Sequence, residues 1–294
     1  MQTYASLVVS CRSPETTHMN DKRLDAEPDL AFVLAKLTFL RKTGEKPVNY
    51  PSVAGGVAER NIGEADGHTV RVHNARCSDA AFSHDEQGFM LVPQTSAVSD
   101  FYADSEIEAI HHAEVTATIQ IATGARQVVV FDVTRRSDDL QLMQARRTRD
   151  PARTVHSDYT ERSARQRVKD LLPAQAEQCL ARRFAIVNLW RSMAGPVLRA
   201  PVALCDARTL DEADLIPTER RARDRIGETY RVAYNPGQRW YYFPRLAPQE
   251  ALLIKTFDSA PGRRAAPHAA FDDPSTGDSA PPRESIESRA FVFY

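Results

Sequence analysis

The stretch "FAIVNLWRSM", residues 184–193, is the clearest indication of the fold class, because it is a short apolar and β-branched run between polar segments. Segments of the same kind continue to the end of the chain, separated by Pro, Gly, Asn and Asp. They are "APVALCDAR" (200–208), "TYRVAYN" (229–235), "RWYYFPRL" (239–246), "EALLIKTFDS" (250–259) and "SIESRAFVFY" (285–294). Short strands at such spacing, with few helical patterns between them, favour a sandwich or barrel over a doubly wound parallel sheet. We therefore predict an α+β, mainly β protein whose core, over residues 125–294, is a cupin-like jelly roll, also called a double-stranded β-helix.

The N-terminal part, residues 1–124, is expected to add flanking helices and accessory strands to the same single domain, 1–294. "PDLAFVLAKLTFLRKTG" (28–44) is predicted to be an amphipathic helix that follows a polar arm and carries basic residues in its last turn. "SEIEAIHHAEVTATIQIATG" (105–124) is predicted to be a second helix, with Ser105 as N-cap and Gly124 just past its end.

Further strands and helices are predicted between these segments. "GHTVRVHNAR" (67–76) alternates polar and apolar residues, and "GFMLVPQ" (88–94) and "ARQVVVFDVTR" (125–135) are apolar runs, so all three predict strands. The polar segment 137–152 predicts an exposed loop or short helix, and 163–183 has helical composition.

Composition restricts the class of protein. The 294 residues are 42% hydrophobic and 26% charged, with a formal net charge of −1, which is ordinary globular composition and gives no sign of a nucleic-acid binder. No apolar run reaches the roughly 20 residues of a membrane helix, and we interpret the N-terminus as mature sequence rather than a signal peptide. Four cysteines (Cys11, Cys77, Cys179 and Cys205) are scattered without zinc-site spacing, which fits a reducing cytoplasm.

Three places in the chain match the loose pattern His-x-Asp/Glu, which can supply two ligands to a metal ion. His112-Ala-Glu114 lies in the predicted helix. Residues i and i+2 of a helix are rotated by about 200° from each other, so their side chains cannot bind the same metal ion. His84-Asp-Glu86 precedes a strand and is more typical of a solvated acidic turn. His156-Ser-Asp158 comes just before the strand-rich half, where residues i and i+2 of a strand point to the same side.

The residues downstream favour His156-Ser-Asp158. His268 is the only later histidine, and Arg283 and Arg289 follow on the last predicted strand, six residues apart and so on one face. Two imidazoles and one carboxylate are the ligands of a non-haem Fe(II) oxygenase site, and a buried arginine can hold a carboxylate by paired hydrogen bonds. A histidine in a loop is, however, more often a surface or packed residue than a ligand. The connection 269–283 is expected to be either a lid or a solvated loop.

Beyond this order of features, the sequence resembles the Fe(II)/2-oxoglutarate-dependent hydroxylase/desaturase family that contains CmcJ, AsaB and gibberellin desaturase-like enzymes. The resemblance runs from about residue 37 to the C-terminus. The similar stretches are "LTFLRKTGEKPVNY" (37–50), "ARQVVVFDVTRR" (125–136), "VHSDYTERSARQRVKDLLP" (155–173), "RRFAIVNLWRSMAGPV" (182–197), "PVALCDARTL" (201–210), "GETYRVAYNPGQRWYYFPRLAPQEALLIKTFDS" (227–259), "PHAAFDDP" (267–274) and "PPRESIESRAFVFY" (281–294). One departure is at His111-His112, where relatives often carry aromatic residues.

The resemblance implies that His156, Asp158 and His268 bind iron and that an arginine of the last strand binds the distal carboxylate of 2-oxoglutarate. Arg283, in an Arg-x-Ser arrangement with Ser285, matches one cosubstrate motif of such enzymes, and Arg289 matches the position used in another branch. Both remain candidates at this stage. No catalytic residue is implied beyond the iron site.

The implied reaction uses Fe(II), 2-oxoglutarate and O2 to abstract a hydrogen from a small secondary-metabolite substrate, which is then hydroxylated, desaturated or cyclised. Residues that are candidates to line the substrate pocket are Tyr159, Asn188, Trp190, Arg191, Tyr234, Arg239, Trp240 and Tyr242. Asn188 and Trp190 are expected on one face of their strand, and Arg191 on the other. A hydrogen bond to a neighbouring strand is an equally plausible role for Asn188. The aromatic residues of "RWYYFP" (239–244) more often pack in a core than form a substrate cage.

Two other functions remain open from the residues alone. One is a cupin-like metal enzyme that does not use 2-oxoglutarate, and the other is a non-catalytic accessory subunit of a tailoring enzyme. The expected partners are a small molecule and a second copy of the chain or another tailoring enzyme, with no nucleic acid and no membrane. The family covers many reactions, so the sequence does not fix the substrate.

Overall fold

Strands dominate the computed structural model, which describes residues 30–262, 264–277 and 279–294. Residues 1–29 lie outside these ranges. They include Cys11, part of the predicted polar arm and the N-terminus that we interpret as mature sequence. The strands are β1 (Phe32–Leu40), β2 (Val48–Tyr50), β3 (Arg60–Ile62), β4 (Ala65–Asn74), β5 (Phe89–Pro93), β6 (Gln127–Ser137), β7 (His156–Ser157), β8 (Phe184–Ser192), β9 (Val202–Cys205), β10 (Leu215–Arg221), β11 (Ile226–Val232), β12 (Trp240–Tyr242), β13 (Glu250–Asp258), β14 (His268–Ala270) and β15 (Glu284–Phe293). The strands predicted in the C-terminal half, and those over 67–76, 88–94 and 125–135, are confirmed.

Helices are few and short in the described part of the chain. They are α1 (Asp104–Glu106), a π-turn (Ile107–His111) that continues into α2 (His112–Thr123), α3 (Leu140–Arg146), α4 (Glu161–Leu171), α5 (Ala176–Leu180) and the 3₁₀ turns Ala75–Cys77, Ala207–Thr209 and Glu212–Asp214. The short helix predicted within 137–152 and the helical segment predicted over 163–183 are therefore confirmed. Across the described residues, no helix is long and apolar enough to cross a membrane.

Two sheets form the core. The larger has the order β1-β4-β12-β9-β14-β7-β11-β10-β2-β3, and the smaller, fully antiparallel sheet has the order β5-β13-β8-β15-β6. Side chains of the two sheets meet in a shared apolar layer, in which Trp190 and Ile254 of the small sheet pack with Leu204 of the large one. This confirms the predicted double-sheet jelly roll. The division of the single domain at residue 124 stays a prediction, and strands from both sides of it pair in both sheets.

The large sheet curls over on itself. Thr38 in β1 forms a parallel bridge to Thr154, next to β7, and a second apolar cluster fills the inside of the curl. Val155 points into this cluster, whereas the next residue, His156, points to the opposite face, towards the small sheet. Successive side chains of one segment thus point to opposite faces of the large sheet, one into an apolar core and the next into the space between the sheets.

The helix predicted over 28–44 is wrong, because Phe32–Leu40 is a strand. Val33, Ala35, Leu37 and Phe39 are all buried, whereas Leu34 is exposed, so the apolar positions that matter repeat every two residues. The extra apolar residue, Leu34, lies on the outer face and makes the sequence resemble a helical pattern. Pairing with β4 over the whole length of β1 supplies the backbone hydrogen bonds.

The helix predicted over 105–124 is confirmed, but it begins at Asp104 and its N-cap is Ala103 rather than Ser105. Gly124 ends it in the left-handed conformation with φ 67°, as predicted. Val115 and Ile119 pack on the outer face of the small sheet, against Val187 and other apolar residues. The helix therefore covers the side of β8 and β15 that faces away from the large sheet.

Candidate metal centre

His156, Asp158 and His268 come together between the two sheets. His156 begins β7 and His268 begins β14, and the two residues lie directly opposite each other in the antiparallel pair. Their rings are 4.5 Å apart between centroids, and His156 Nε2 lies 3.7 Å from Asp158 Oδ1. One ligand atom from each of the three residues lies within 4.8 Å of the others. Among the described residues, this is the one group of His, Cys, Asp or Glu compact enough to hold a metal ion.

Backbone carbonyls orient both imidazoles. His156 Nδ1 donates to the carbonyl of Thr154 at 2.8 Å, and His268 Nδ1 donates to the carbonyl of Ala266 at 3.2 Å. A carbonyl only accepts, so each ring carries a proton on Nδ1, which leaves Nε2 as the nitrogen available to a metal ion. Burial, together with His268, lowers the pKa of His156 to about 3, so this ring is neutral at physiological pH, as a metal ligand must be.

The carboxylate of Asp158 is held from one side. Asn188 Nδ2 and Arg289 Nε both donate to Asp158 Oδ2, at 2.8 and 3.0 Å. Burial acts to raise the pKa of Asp158, but Arg289 and the two imidazoles outweigh it and hold that pKa well below its usual range. The group is therefore an anion, with Oδ1 on the side of the histidines.

Arg289 is fully occupied by carboxylates. Besides Asp158, its guanidinium donates to Asp132 at 2.5 Å, to Glu287 and to Thr134 Oγ1 at 3.3 Å. Burial acts to lower the pKa of Arg289, but Asp158, Glu287 and Asp132 raise it well above its usual value. The arginine is thus a permanent cation that positions Asp158.

A second ion pair lies behind His156 and was not expected from the sequence. Arg231 lies opposite His156 in the β11–β7 pair and bonds Glu59 at 2.5 Å and Asn61 at 2.8 Å. Asn49 donates to the same carboxylate at 2.7 Å. The sequence indicated this ion pair only through a charged residue, Arg231, inside the apolar strand "TYRVAY". Its partners could not be identified because they lie in distant segments that only sheet pairing brings close.

Arg283 differs from Arg289 because it has an unused donor. It is buried, donates one guanidinium hydrogen to the carbonyl of Ala200 at 2.5 Å and lies over the ring of Trp190 at 5.4 Å. Its Nε, and the hydroxyl of nearby buried Ser285, have no hydrogen-bond partner among the described residues. Arg283 lines one small cavity with His156, His268 and Trp190. Buried polar groups are normally paired, so these two orphans mark a place for a polar ligand.

Of the predicted pocket residues, three lie at this centre. Asn188 bonds Asp158, Trp190 lines the cavity with Arg283, and Tyr159 is buried and lines an adjoining cavity with Asp158. The shared face of Asn188 and Trp190, expected from the alternation of "VNLW", agrees with these contacts.

Two predicted pocket arginines do not reach the centre. Arg191 lies on the other face of β8, as its position in the strand indicates, and donates to Gln94 at 2.7 Å and to the carbonyl of Pro248. Arg239 is exposed on the loop before β12. Neither residue lines a cavity at the metal centre.

The aromatic candidates lie in the core inside the curl of the large sheet. Tyr234 stacks on His68 at 3.8 Å, Trp240 packs edge-on against Phe39, and Tyr242 packs in the same cluster. Core packing, the alternative considered for the "RWYYFP" segment, therefore describes these three residues.

The other two His-x-acid matches do not form metal centres among the described residues. His111 and His112 are helical, and His111 Nε2 bonds Ser288 Oγ at 2.9 Å on the outer face of the small sheet. His84 is buried, 3.4 Å from the hydroxyl of Tyr294, and its pKa is lowered by burial.

The donor set fits a divalent iron ion by its chemistry. Two imidazoles and one carboxylate are the ligands of non-haem Fe(II) oxygenases, in which the remaining positions stay open for cosubstrate and oxygen. Arg283, whose Nε has no hydrogen-bond partner among the described residues, lines the same cavity as His156 and His268.

Comparison with known proteins agrees with this chemistry. The family model described as "Oxidoreductase/YMDC permease-like domain" matches residues 37–293. The Fe(II)/2-oxoglutarate-dependent dioxygenase nvfI of Aspergillus novofumigatus is 33% identical over 236 residues, covering 77% of this chain and 83% of that protein. The hydroxylase/desaturase efuI of Hormonema carpetanum is 31% identical, covering 76% of this chain and 83% of that protein.

Solved structures give the same result. The structure of the "iron and alpha-ketoglutarate-dependent endoperoxidase NvfI" superposes with a TM-score of 0.79 at 28% identity, covering 90% of this chain and 98% of that one.

Proposed function

The chain belongs to the Fe(II)/2-oxoglutarate-dependent oxygenases, and from this premise we propose that His156, Asp158 and His268 bind the catalytic iron. The observation that carries the proposal is the compact group of two imidazoles and one carboxylate, held within 4.8 Å of one another between the sheets. The enzyme hydroxylates, desaturates or cyclises a small molecule of secondary metabolism by removing hydrogen from it.

Iron with 2-oxoglutarate, when bound, supplies the oxidising chemistry, in which decarboxylation of 2-oxoglutarate to succinate is coupled to removal of substrate hydrogen. The residues of the chain bind and orient the reactants and exclude water. Asn188 and Arg289 hold Asp158 through one oxygen, which fixes the direction of the other. The backbone carbonyls of Thr154 and Ala266 fix the two imidazoles.

Arg283 and Ser285 are proposed to bind the distal carboxylate of 2-oxoglutarate. Arg283 Nε and Ser285 Oγ are buried donors without a partner among the described residues, and a carboxylate would satisfy both. Arg289 is the poorer candidate because three carboxylates already occupy its guanidinium. Its proposed role is to position Asp158.

The proposal is tested by adding Fe(II) and 2-oxoglutarate to the protein without oxygen. We expect a weak visible charge-transfer band in the wild type, no band in Asp158→Ala, and an unchanged band in Asp272→Ala, which alters an exposed ion pair with Arg153. Metal binding without a band, together with no succinate formed from any candidate substrate, would instead support a cupin-like enzyme that does not use 2-oxoglutarate or an accessory subunit.

The roles of the two arginines are separated by the same band. Arg283→Gln is expected to raise the 2-oxoglutarate concentration at half-saturation by about 10-fold or more, since a charge-assisted pair is lost, and to leave iron affinity unchanged. If Arg289→Gln raises that concentration and Arg283→Gln does not, the assignment is reversed. A cytoplasmic location and a homodimer or partner tailoring enzyme stay predictions.

A further inference from the structure

Two cavities beside Asp158 and Arg289 are not lined by Arg283. Both are lined by Arg149 and Arg220, and the first also contains His156. Seven arginines line the two cavities, against five carboxylates, although the whole chain has a net charge of −1. These cavities beside the candidate metal centre therefore carry an excess of positive charge.

The carboxylates in this region are largely used by other cations. Glu59 pairs with Arg231, and Asp132 and Asp158 pair with Arg289. Glu228 pairs with Lys46 and Arg162, which do not line the cavities. Asp150, which also lines the first cavity, forms no ion pair within the described ranges, and the seven arginines still exceed the five carboxylates.

Arg149 and Arg220 are half-buried, and within the described ranges their side chains form no hydrogen bond and no ion pair. Burial, then Arg289, Arg149 and Arg225, lower the pKa of Arg220 to about 10, so it remains charged but is held next to other cations. The pKa of Arg149 is lowered by burial and by Arg136. Desolvated, mutually repelling cations are unfavourable without an anion, which is the usual sign of a ligand site.

Both arginines sit on fixed elements. Arg220 lies in β10 opposite Gly227, which has no side chain to fill the space beside it. Arg149 is bridged to Arg136 of β6, with backbone hydrogen bonds to Arg135 and Ser137 at 3.0 and 2.9 Å. A site on rigid elements holds its geometry better than one on a free loop.

We propose that Arg149 and Arg220 bind an oxyanion, a carboxylate or a phosphate ester, carried by the small-molecule substrate. The proposal rests on the proposed function, since it places this anion beside the metal centre, in the cavities that include Asp158. The guanidinium fork matches both oxyanions, and two arginines from different segments, one in β10 and one bridged to β6, fix the direction of the molecule relative to Asp158. The substrate is thus an organic acid rather than a neutral molecule.

The test uses the anaerobic protein loaded with Fe(II) and saturating 2-oxoglutarate, so that no turnover occurs. Calorimetry measures binding of decanoate, cinnamate and abietate, each compared with its methyl ester, and of decyl phosphate compared with decanol. We expect at least one acid to bind about 10-fold more tightly than its neutral counterpart. The comparison of carboxylates with decyl phosphate identifies the type of anion.

Arg149→Gln and Arg220→Gln are each expected to weaken binding of that acid about 10-fold and to leave binding of the ester unchanged. The corresponding lysine variants should recover part of the loss. Arg126→Gln, which removes an exposed arginine that lines neither cavity, is the charge-matched control.

The charge-transfer band is recorded for each variant before titration, which separates the two proposals. Absence of the band in the wild type contradicts the proposed function. A normal band with no acid preferred over its neutral counterpart, or with equal loss in Arg126→Gln, overturns the oxyanion site alone. If Arg149→Gln and Arg220→Gln weaken 2-oxoglutarate binding instead, the arginines serve the cosubstrate and the inference is wrong.

Discussion

The two carboxylate oxygens of Asp158 lie in different surroundings. Oδ2 accepts hydrogen bonds from Asn188 and Arg289, whereas Oδ1 lies 3.7 Å from His156 Nε2. A metal ion at this centre would therefore meet one free oxygen rather than a symmetric pair. Residues that only orient a ligand are often as important for metal affinity as the ligand itself.

Arg289→Gln is expected to weaken Fe(II) binding by about 10- to 100-fold, because Asp158 loses its main orienting contact. It should also lower the free energy of unfolding by about 3–5 kcal/mol, since three carboxylates around a buried cation lose their partner. Chelator competition measures the first effect and urea denaturation the second. The surface variant Arg126→Gln is the control, and unchanged iron affinity in Arg289→Gln would remove its positioning role.

Sequence patterns identified some residues of this centre and could not identify others. His156 and Asp158 are recognisable because two residues apart on a strand they share a face. The distinction between Arg283 and Arg289 depends on which of them already has carboxylate partners, and only the fold shows this. Glu59 was missed because its contact with Arg231 spans 172 residues of sequence.

At the scale of elements, β1 gives a direct test of strand against helix. Leu37 is 1% exposed and Leu34 is 59% exposed, although the two residues would share a face in a helix. Leu37→Ala is expected to lower the free energy of unfolding by about 2–5 kcal/mol, and Leu34→Ala by less than about 0.5 kcal/mol. Urea denaturation measures both, and similar losses at the two positions would contradict the strand.

Local sequence could not separate these two structures for 28–44. The sequence "FVLAKLTFL" is compatible with both a helical and a strand pattern. The interaction that decides between them is pairing with β4, about thirty residues later in the chain. By contrast, β8 and β13 are mainly apolar runs between polar segments, where few alternatives exist.

The helix that covers the small sheet carries a buried histidine that should affect acid stability. His111 bonds Ser288 of β15, and burial lowers its pKa from 6.5 to about 4. Between these two pH values the unfolded chain binds a proton that the folded chain does not. Stability therefore falls as the pH falls through this window, by at most about 1.4 kcal/mol per pH unit for this group.

His111→Gln keeps a side chain that can bond Ser288 but removes the titration. Urea denaturation at pH 4.5, 5.5 and 6.5 should show that the free energy of unfolding falls less with acid in the variant than in the wild type. The difference in slope should be at most that of one bound proton, about 1.4 kcal/mol per pH unit. Part of the slope should remain, because burial also lowers the pKa of His73 and His84. Parallel curves for the two proteins would rule out His111 as a contributor.

For the whole molecule, metal binding and folding are linked. The three proposed ligands come from two segments, His156–Asp158 and His268, which are more than 100 residues apart in sequence, so the unfolded chain cannot present all three together. Fe(II) at about 100 times its dissociation constant should stabilise the protein by about 2.7 kcal/mol, as any ligand specific to the folded state does. Denaturation with Fe(II) and with chelator measures this increment. Asp158→Ala should largely lack it, and an equal increment in that variant would place the metal elsewhere.

The overall architecture was predictable from the spacing of short apolar segments, but the order of strands was not. The large sheet joins β1, β4 and β12 at one end and β10, β2 and β3 at the other. The strand order depends on which arrangement buries the most apolar surface away from water. This burial is a property of the whole chain rather than of any local segment.

The carbonyl contacts of His156 and His268 have a consequence for how such an enzyme can change during evolution. Each imidazole is oriented by a main-chain oxygen two residues earlier, and amino-acid substitutions rarely remove a main-chain oxygen. Asp158, by contrast, depends on the side chains of Asn188 and Arg289, which a single nucleotide change can replace. Mutational tolerance is therefore uneven around the centre: the orientation of the two proposed histidine ligands resists sequence change, whereas substitutions around the proposed carboxylate ligand would alter metal binding.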